Sequence, residues 1–187
     1  MLIGRKEQQI ILKEALISKR SELVVVYGRR RVGKTFLIKQ VLGKHLDFEM
    51  TGIQEGNLKD QLENFADKLS EFGYNGIPIE NPDSWKKAFT LLKQYLLTQK
   101  SKKKKILFLD ELPWIATRKS KFLGMLGHFW NDWALYNNVL LVVCGSAASW
   151  MISKVLNNKG SLHNRVTQYM PLQPFTLAET ATFLKAK

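Results

Sequence analysis

The sequence predicts a three-layer α/β sandwich around a parallel sheet, and three observations predict it. Strand-like and helix-like patterns alternate along the chain, as they do when helices cover both faces of a parallel sheet. Two strand-like runs, Ile106–Leu109 and Val139–Cys144, are wholly apolar, the mark of strands buried on both faces. A glycine-bounded run, Gly28-Arg29-Arg30-Arg31-Val32-Gly33-Lys34-Thr35, joins the apolar strand Leu23–Tyr27 directly to a helix-compatible stretch, Phe36 to Leu42.

The remaining elements follow in order. His45–Thr51 is a weaker second strand. Asn57 is a good N-cap, and Leu58, Leu62, Phe65, Leu69 and Phe72 recur behind it at helical spacing. Gly73 to Pro82 reads as a loop. The next helix runs from about Ser84 to Thr98, with Trp85, Phe89, Leu92 and Leu96 on one stripe. After the strand Ile106–Leu109, the positions Phe122, Met125, Phe129 and Trp133 mark another helix. Val139–Cys144 is the following strand and Val166–Met170 the last. Thr176-Leu177-Ala178-Glu179 resembles a capping box, and the helix it opens reaches the chain end at Lys187. The aromatic stripes read as core. No internal repeat or long linker is visible, and the only low-complexity stretch is the lysine run at 102–105.

Composition sets the class. The 187 residues suffice for one sizeable α/β domain, and 45% hydrophobic with 24% charged residues is ordinary for a globular chain. The single cysteine, Cys144, lies inside an apolar strand and reads as a small core residue. A lone cysteine makes no intrachain disulfide, which is compatible with a reducing, cytoplasmic setting. The N-terminus has no apolar signal-peptide core. The longest largely apolar stretch, Val139 to Ile152, is too short to span a membrane and is broken by Gly145 and Ser146. His45, His128 and His163 lack metal-ligand spacing. The formal net charge of +13 raises nucleic acid as a partner. Against that, the charge is scattered: part lies in the arginine run, part in Lys102 to Lys105, and part in Arg118, Lys119 and Lys121.

The run from Gly28 to Thr35 fits G-x-x-x-x-G-K-[ST], the phosphate-binding Walker A pattern. Glycines let the backbone turn tightly around an anion. The loop amides then form a concave set of donors, and the free N–H groups of the next helix face the same anion. In this pattern Lys34 reaches the β- and γ-phosphates and the Thr35 hydroxyl ligates Mg²⁺. Gly28, Arg29, Arg30, Arg31, Val32, Gly33, Lys34, Thr35 and Phe36 are therefore the candidate nucleotide-binding residues.

A second element must handle metal and water. Ile106-Leu107-Phe108-Leu109-Asp110-Glu111 is an apolar strand ending in two acids, the Walker B arrangement. Asp110 would hold Mg²⁺, largely through water, and Glu111 would orient and polarise the attacking water. Neighbouring side chains diverge at a strand end, so the two acids need not serve the same task. A third element is Ser146, directly after the strand Val139–Cys144. It either senses the γ-phosphate or fixes the water, or it is a plain turn residue; Ser149 is the weaker candidate for the same task.

Together these residues resemble the archaeal and bacterial P-loop ATPases of the AAA-like, signal-transduction NTPase lineage. The matching motifs are Ile3-Gly4-Arg5-Lys6-Glu7, Tyr27 to Thr35, Leu109-Asp110-Glu111-Leu112-Pro113-Trp114, and Gly145-Ser146 followed by Trp150-Met151. The resemblance covers nearly the whole chain. It implies that Arg5 lies beside the adenine and that the five parallel strands are ordered 5-1-4-3-2. It also implies a late arginine in an L-x-G-R setting, where this chain reads Leu162-His163-Asn164-Arg165. Arg165 matches and Asn164 replaces the glycine, so a γ-phosphate or inter-subunit role for Arg165 stands beside that of an exposed loop arginine. By the same resemblance, residues 1–175 form the ATPase core and residues 176–187 open a helical lid or C-terminal region that is cut short, as in a fragment or a degenerate paralogue. The implied function is Mg-ATP binding and hydrolysis driving a conformational switch, with Lys34, Glu111, Ser146 and Arg165 as catalytic groups and Thr35 and Asp110 as metal ligands. The alternatives are a nucleotide-gated DNA- or protein-binding module with little turnover and, more remotely, a small-molecule kinase. Assembly into a homo-oligomer stays open.

Overall fold

A computed structural model of the chain describes residues 3–99, 104–157 and 159–185. Its centre is a sheet of five parallel strands: β1 (Glu22–Tyr27), β2 (Phe48–Thr51), β3 (Lys105–Asp110), β4 (Val139–Gly145) and β5 (Gln168–Pro171). Their order is β2-β3-β4-β1-β5, which is 5-1-4-3-2 read from the other edge.

Period-2 alternation divides the strands between two cores. Leu23, Val25, Leu107, Leu109, Leu141 and Val143 face one side, while Val24, Val26, Ile106, Phe108, Leu140 and Val142 face the other. The second face is covered by α1 (Lys6–Ile17) and α2 (Lys34–Leu42) through Leu12, Leu37 and Ile38. The first is covered by α3 (Leu58–Gly73), α4 (Trp85–Thr98) and α6 (Phe122–Asp132), whose aromatic residues interlock, while the short helices α5 (Leu112–Ile115) and α7 (Ala148–Met151) follow β3 and β4. Phe122 meets Trp85 edge-on at 4.7 Å, and Phe129 stacks on Phe89 at 5.2 Å, geometries that favour ring pairs. The aromatic stripes are core, as their spacing predicts.

Local signals place the helices. Asn57 accepts from the N–H groups of Lys59 and Asp60, and Asp60 reaches back to the Asn57 N–H. Such a cap stabilises a helix by about 1 kcal/mol. Ser84 caps α4 by accepting from Lys87 N–H. Thr176 and Glu179 cap α8 (Leu177–Lys185) reciprocally; the predicted extension of that helix to Lys187 falls outside the described residues.

Three boundaries differ from expectation. The predicted strand His45–Thr51 shortens to Phe48–Thr51, because Gly43–His45 continues α2 as a 3₁₀ turn. The last strand begins at Gln168 rather than Val166, since Thr167 pairs with the Leu23 carbonyl ahead of the ladder. The predicted strand Ile106–Leu109 lengthens to Lys105–Asp110, and ahead of it the half-buried Lys104 donates to the Arg20 carbonyl at 2.6 Å. Lys102 and Lys103 lie outside the described residues. No helix among the described residues is long and apolar enough to cross a membrane.

Candidate functional site at the carboxyl edge of the sheet

Parallel strands end together at one edge of the sheet, and the strand order decides which ends meet. β4 lies between β1 and β3. Tyr27 pairs with Gly145 and Leu109 with Val143. The phosphate loop after β1, Ser146 after β4 and the Asp110-Glu111 pair at the end of β3 therefore share one corner.

The loop is built by unusual backbone angles. Gly28 (φ 154°), Arg31 (φ 64°) and Gly33 (φ 87°) all have positive φ. Arg31, with a side chain in the left-handed region, carries strain that concentrates at functional sites. A Cβ on Gly28 would strike the Leu172 carbonyl, so only glycine lets the chain turn beneath that segment. Lys34 opens α2 and is 5% exposed. Its Nζ donates to the carbonyls of Gly28 (2.9 Å) and Arg29 (2.8 Å), so the lysine spans the concave side of its own loop.

Opposite the loop, each acid is held separately. Asp110 accepts from the Thr35 hydroxyl on Oδ2 at 2.7 Å and from the Glu111 N–H on Oδ1 at 2.9 Å. Glu111 has left-handed backbone angles (φ 49°, ψ 53°) and caps α5 (Leu112–Ile115). That turn directs its carboxylate toward the end of β4. There Oε2 accepts from both the N–H (3.0 Å) and the hydroxyl (2.8 Å) of Ser146. Close packing fixes the corner: a Cβ on Gly145 would lie 2.6 Å from Met151 Sδ and 2.9 Å from Pro113 Cδ.

Beside the loop an apolar hollow of about 400 Å³ is lined by Arg5, Val32, Phe36, Phe175 and Phe183, among others. Arg5 is 8% exposed. Its Nη2 donates to Gln173 O at 2.6 Å and to Val32 O at 3.4 Å, and its guanidinium lies 4.6 Å from the Phe175 ring centre. Its backbone N–H donates to Glu179 Oε1 at 3.2 Å. The N–H groups of Thr176 and Arg5 hold the Glu179 carboxyl below its ordinary pKa.

Chemically, the corner offers a buried ammonium, a cluster of loop amides, a paired hydroxyl and carboxylate, and a second carboxylate aimed elsewhere. The family model for an ATPase domain found predominantly in Archaea matches residues 4–187. The chain belongs to this ATPase domain family. An uncharacterized protein of Methanocaldococcus jannaschii is 27% identical over 184 residues, which is 98% of this chain and 38% of that protein. An uncharacterized ATP-binding protein of the same organism is 45% identical over 42 residues, 22% of this chain and 71% of that protein. Among solved structures, the Walker-type ATPase of Pyrococcus abyssi superposes with a TM-score of 0.71 at 17% identity, over 99% of this chain and 57% of that one. The Orc1 protein of Aeropyrum pernix, solved in complex with DNA, gives 0.67 at 15% identity over 100% and 49%. These structural likenesses show the fold, a P-loop ATPase sandwich. The domain spans 38% of the length of the M. jannaschii protein it matches along nearly all of its own chain.

Within this ATPase domain, the predicted residues Lys34, Thr35, Asp110, Glu111 and Ser146 converge, and Arg5, Val32 and Phe36 join them through the apolar hollow. Arg165 does not. It is exposed, and among the described residues its side chain makes no hydrogen bond or ion pair with the corner. Asn164 has φ 54°, so it supplies the left-handed turn that the glycine of the family motif would supply; asparagine tolerates this region best among side-chain-bearing residues. Cys144 is fully buried, and burial foremost, with Asp110 next, pushes its thiol well above its ordinary pKa, in keeping with a core residue. No group of three or more potential metal-binding His, Cys, Asp or Glu side chains occurs among the described residues. Sequence reasoning missed Trp114 as a member of the site. The Arg30 guanidinium lies 5.2 Å from its ring centre, and only the D-E-x-P-W run hinted that this tryptophan sits beside the acids.

Proposed function

We propose that the domain binds Mg-ATP between the 28–35 loop and the Asp110-Glu111 pair and hydrolyses it, and that this cycle drives a conformational switch. The observation that carries the reading is the contact between Thr35 Oγ1 and Asp110 Oδ2 at 2.7 Å on the rim of the loop. Both are hard oxygen donors. Such donors suit Mg²⁺, which keeps several waters, so Thr35 would hold the ion directly and Asp110 largely through water. When bound, the ion neutralises charge on the β- and γ-phosphates.

The chain's own groups divide the remaining work. Lys34 and the loop amides cradle the phosphates and stabilise charge that builds during transfer. Glu111 orients the attacking water and accepts its proton, and Ser146 holds the Glu111 carboxylate in place. The apolar hollow takes the adenine. Arg5 joins the loop carbonyl of Val32 to Gln173, Phe175 and, through Glu179, α8; this makes it the physical link by which the nucleotide state reaches α8. Arg165, free of contacts with its own corner, suits a phosphate presented by a second copy.

The test is binding and phosphate release with Mg-ATP. Micromolar-range binding with steady release is expected; absence of both rejects the reading. The net charge of +13 favours a second reading, a nucleotide-gated DNA-binding module. In that case affinity for duplex DNA falls steeply between low and moderate salt, because phosphate contacts release counterions. Salt-independent or absent binding rejects it.

A further inference from the structure

The three loop arginines diverge. Arg29 lends its carbonyl to Lys34. Arg31, in its left-handed turn, lines the apolar hollow with Val32 and Phe36. Arg30 instead lies over the face of Trp114, its guanidinium 5.2 Å from the ring centre. Trp114 belongs to the turn that carries the second acid, for its N–H donates to the Glu111 carbonyl at 2.8 Å. The exposed guanidinium of Arg30 thus joins the phosphate loop to the turn that follows the second acid.

We propose that Arg30 senses the terminal phosphate: its guanidinium exchanges the Trp114 face for the γ-phosphate oxygens when ATP supplies them. This inference rests on the proposed ATP site. An exposed cation–π contact is weak, whereas a guanidinium meets phosphate through short, paired, charge-assisted hydrogen bonds, so exchange favours the phosphate. ADP offers no group at that position and leaves the stack in place.

The experiment uses the Glu111→Gln chain, so that hydrolysis does not deplete ATP. ATP and ADP affinities are measured by titration calorimetry, with tryptophan fluorescence in parallel. ATP is expected to bind at least tenfold tighter than ADP and to alter the fluorescence. Adding Arg30→Ala should bring the two affinities to within about twofold by weakening ATP alone, with at most partial rescue by Arg30→Lys, which lacks the planar fork. The ATP-induced fluorescence change should vanish in Trp114→Phe, which separates Trp114 from the other four of the five tryptophans. A nucleotide preference unchanged by Arg30→Ala overturns the inference and leaves the ATP site standing. Parallel loss of ATP and ADP affinity also overturns it, since that is the behaviour of a structural clamp. Failure of the parent chain to bind either nucleotide overturns both readings.

Discussion

Replacing Lys34 with alanine is expected to lower ATP affinity at least 100-fold, which corresponds to about 3 kcal/mol. The ammonium is almost wholly buried and spans the loop through two carbonyls. Phosphate oxygens would replace those carbonyls as acceptors, adding attraction between full opposite charges to hydrogen bonds in which only the ammonium donor is now charged. Alanine removes the only side-chain cation that the described contacts place inside the cradle. It also leaves the Gly28 and Arg29 carbonyls without that donor, a cost offset in part because no charge is then buried. Unfolding of the nucleotide-free protein should therefore shift little, while the stabilisation that ATP adds to the parent chain, set by ligand concentration over Kd, should disappear. Thermal unfolding with and without Mg-ATP checks both halves. Retained affinity in Lys34→Ala would show that phosphate binds elsewhere.

The fold was legible where burial and spacing agree. The wholly apolar runs of β3 and β4 leave few alternatives to central strands, and Asn57, Ser84 and Thr176 each announce a helix with a cap that the structure uses. Helix α1 carried no such signal. Its N-cap is Arg5, which has a left-handed backbone and makes no side-chain cap. Its apolar residues do not form one stripe either, since Leu12 is buried whereas Ile10 and Ile17 are more than half exposed. The strand order was legible only through family resemblance, because nothing in periodicity says which strand lies beside which.

The site was legible as two motifs but not as an arrangement. The spacing of Gly28, Gly33, Lys34 and Thr35 and the pair after β3 are local patterns. The pairing of Ser146 with Glu111 spans 35 positions and depends on β4 lying between β1 and β3. The left-handed turn at Glu111 is likewise hidden, since glutamate gives no hint of positive φ. The Arg5–Glu179 bond, 174 positions apart, and the stack of Arg30 on Trp114 depend on the same packing. Local chemistry thus named the participants, and topology decided who touches whom.

Glu111→Gln should reduce phosphate release by about 10² to 10⁴-fold, the usual contribution of a general base, while Mg-ATP still binds. The geometry makes this a clean substitution. Both Ser146 donors converge on one oxygen, Oε2, and a glutamine carbonyl oxygen can take that place with the same two hydrogen bonds. The amide NH₂ then occupies the position of Oε1, with nearly the same volume and no net charge. It can donate to a water but cannot accept the proton that the water must lose. Binding survives because Lys34, the loop amides and the Thr35–Asp110 pair are untouched. Single-turnover and steady-state phosphate release, measured beside ATP affinity, separate the two effects. A large fall in rate with affinity within about threefold of the parent supports Glu111 as the group that handles water, since loss of a transition-state contact lowers kcat without weakening ground-state binding. An unchanged rate, in a parent chain that measurably releases phosphate, would remove Glu111 from the chemistry. Its double hydrogen bond to Ser146 would then be a structural tie between β3 and β4.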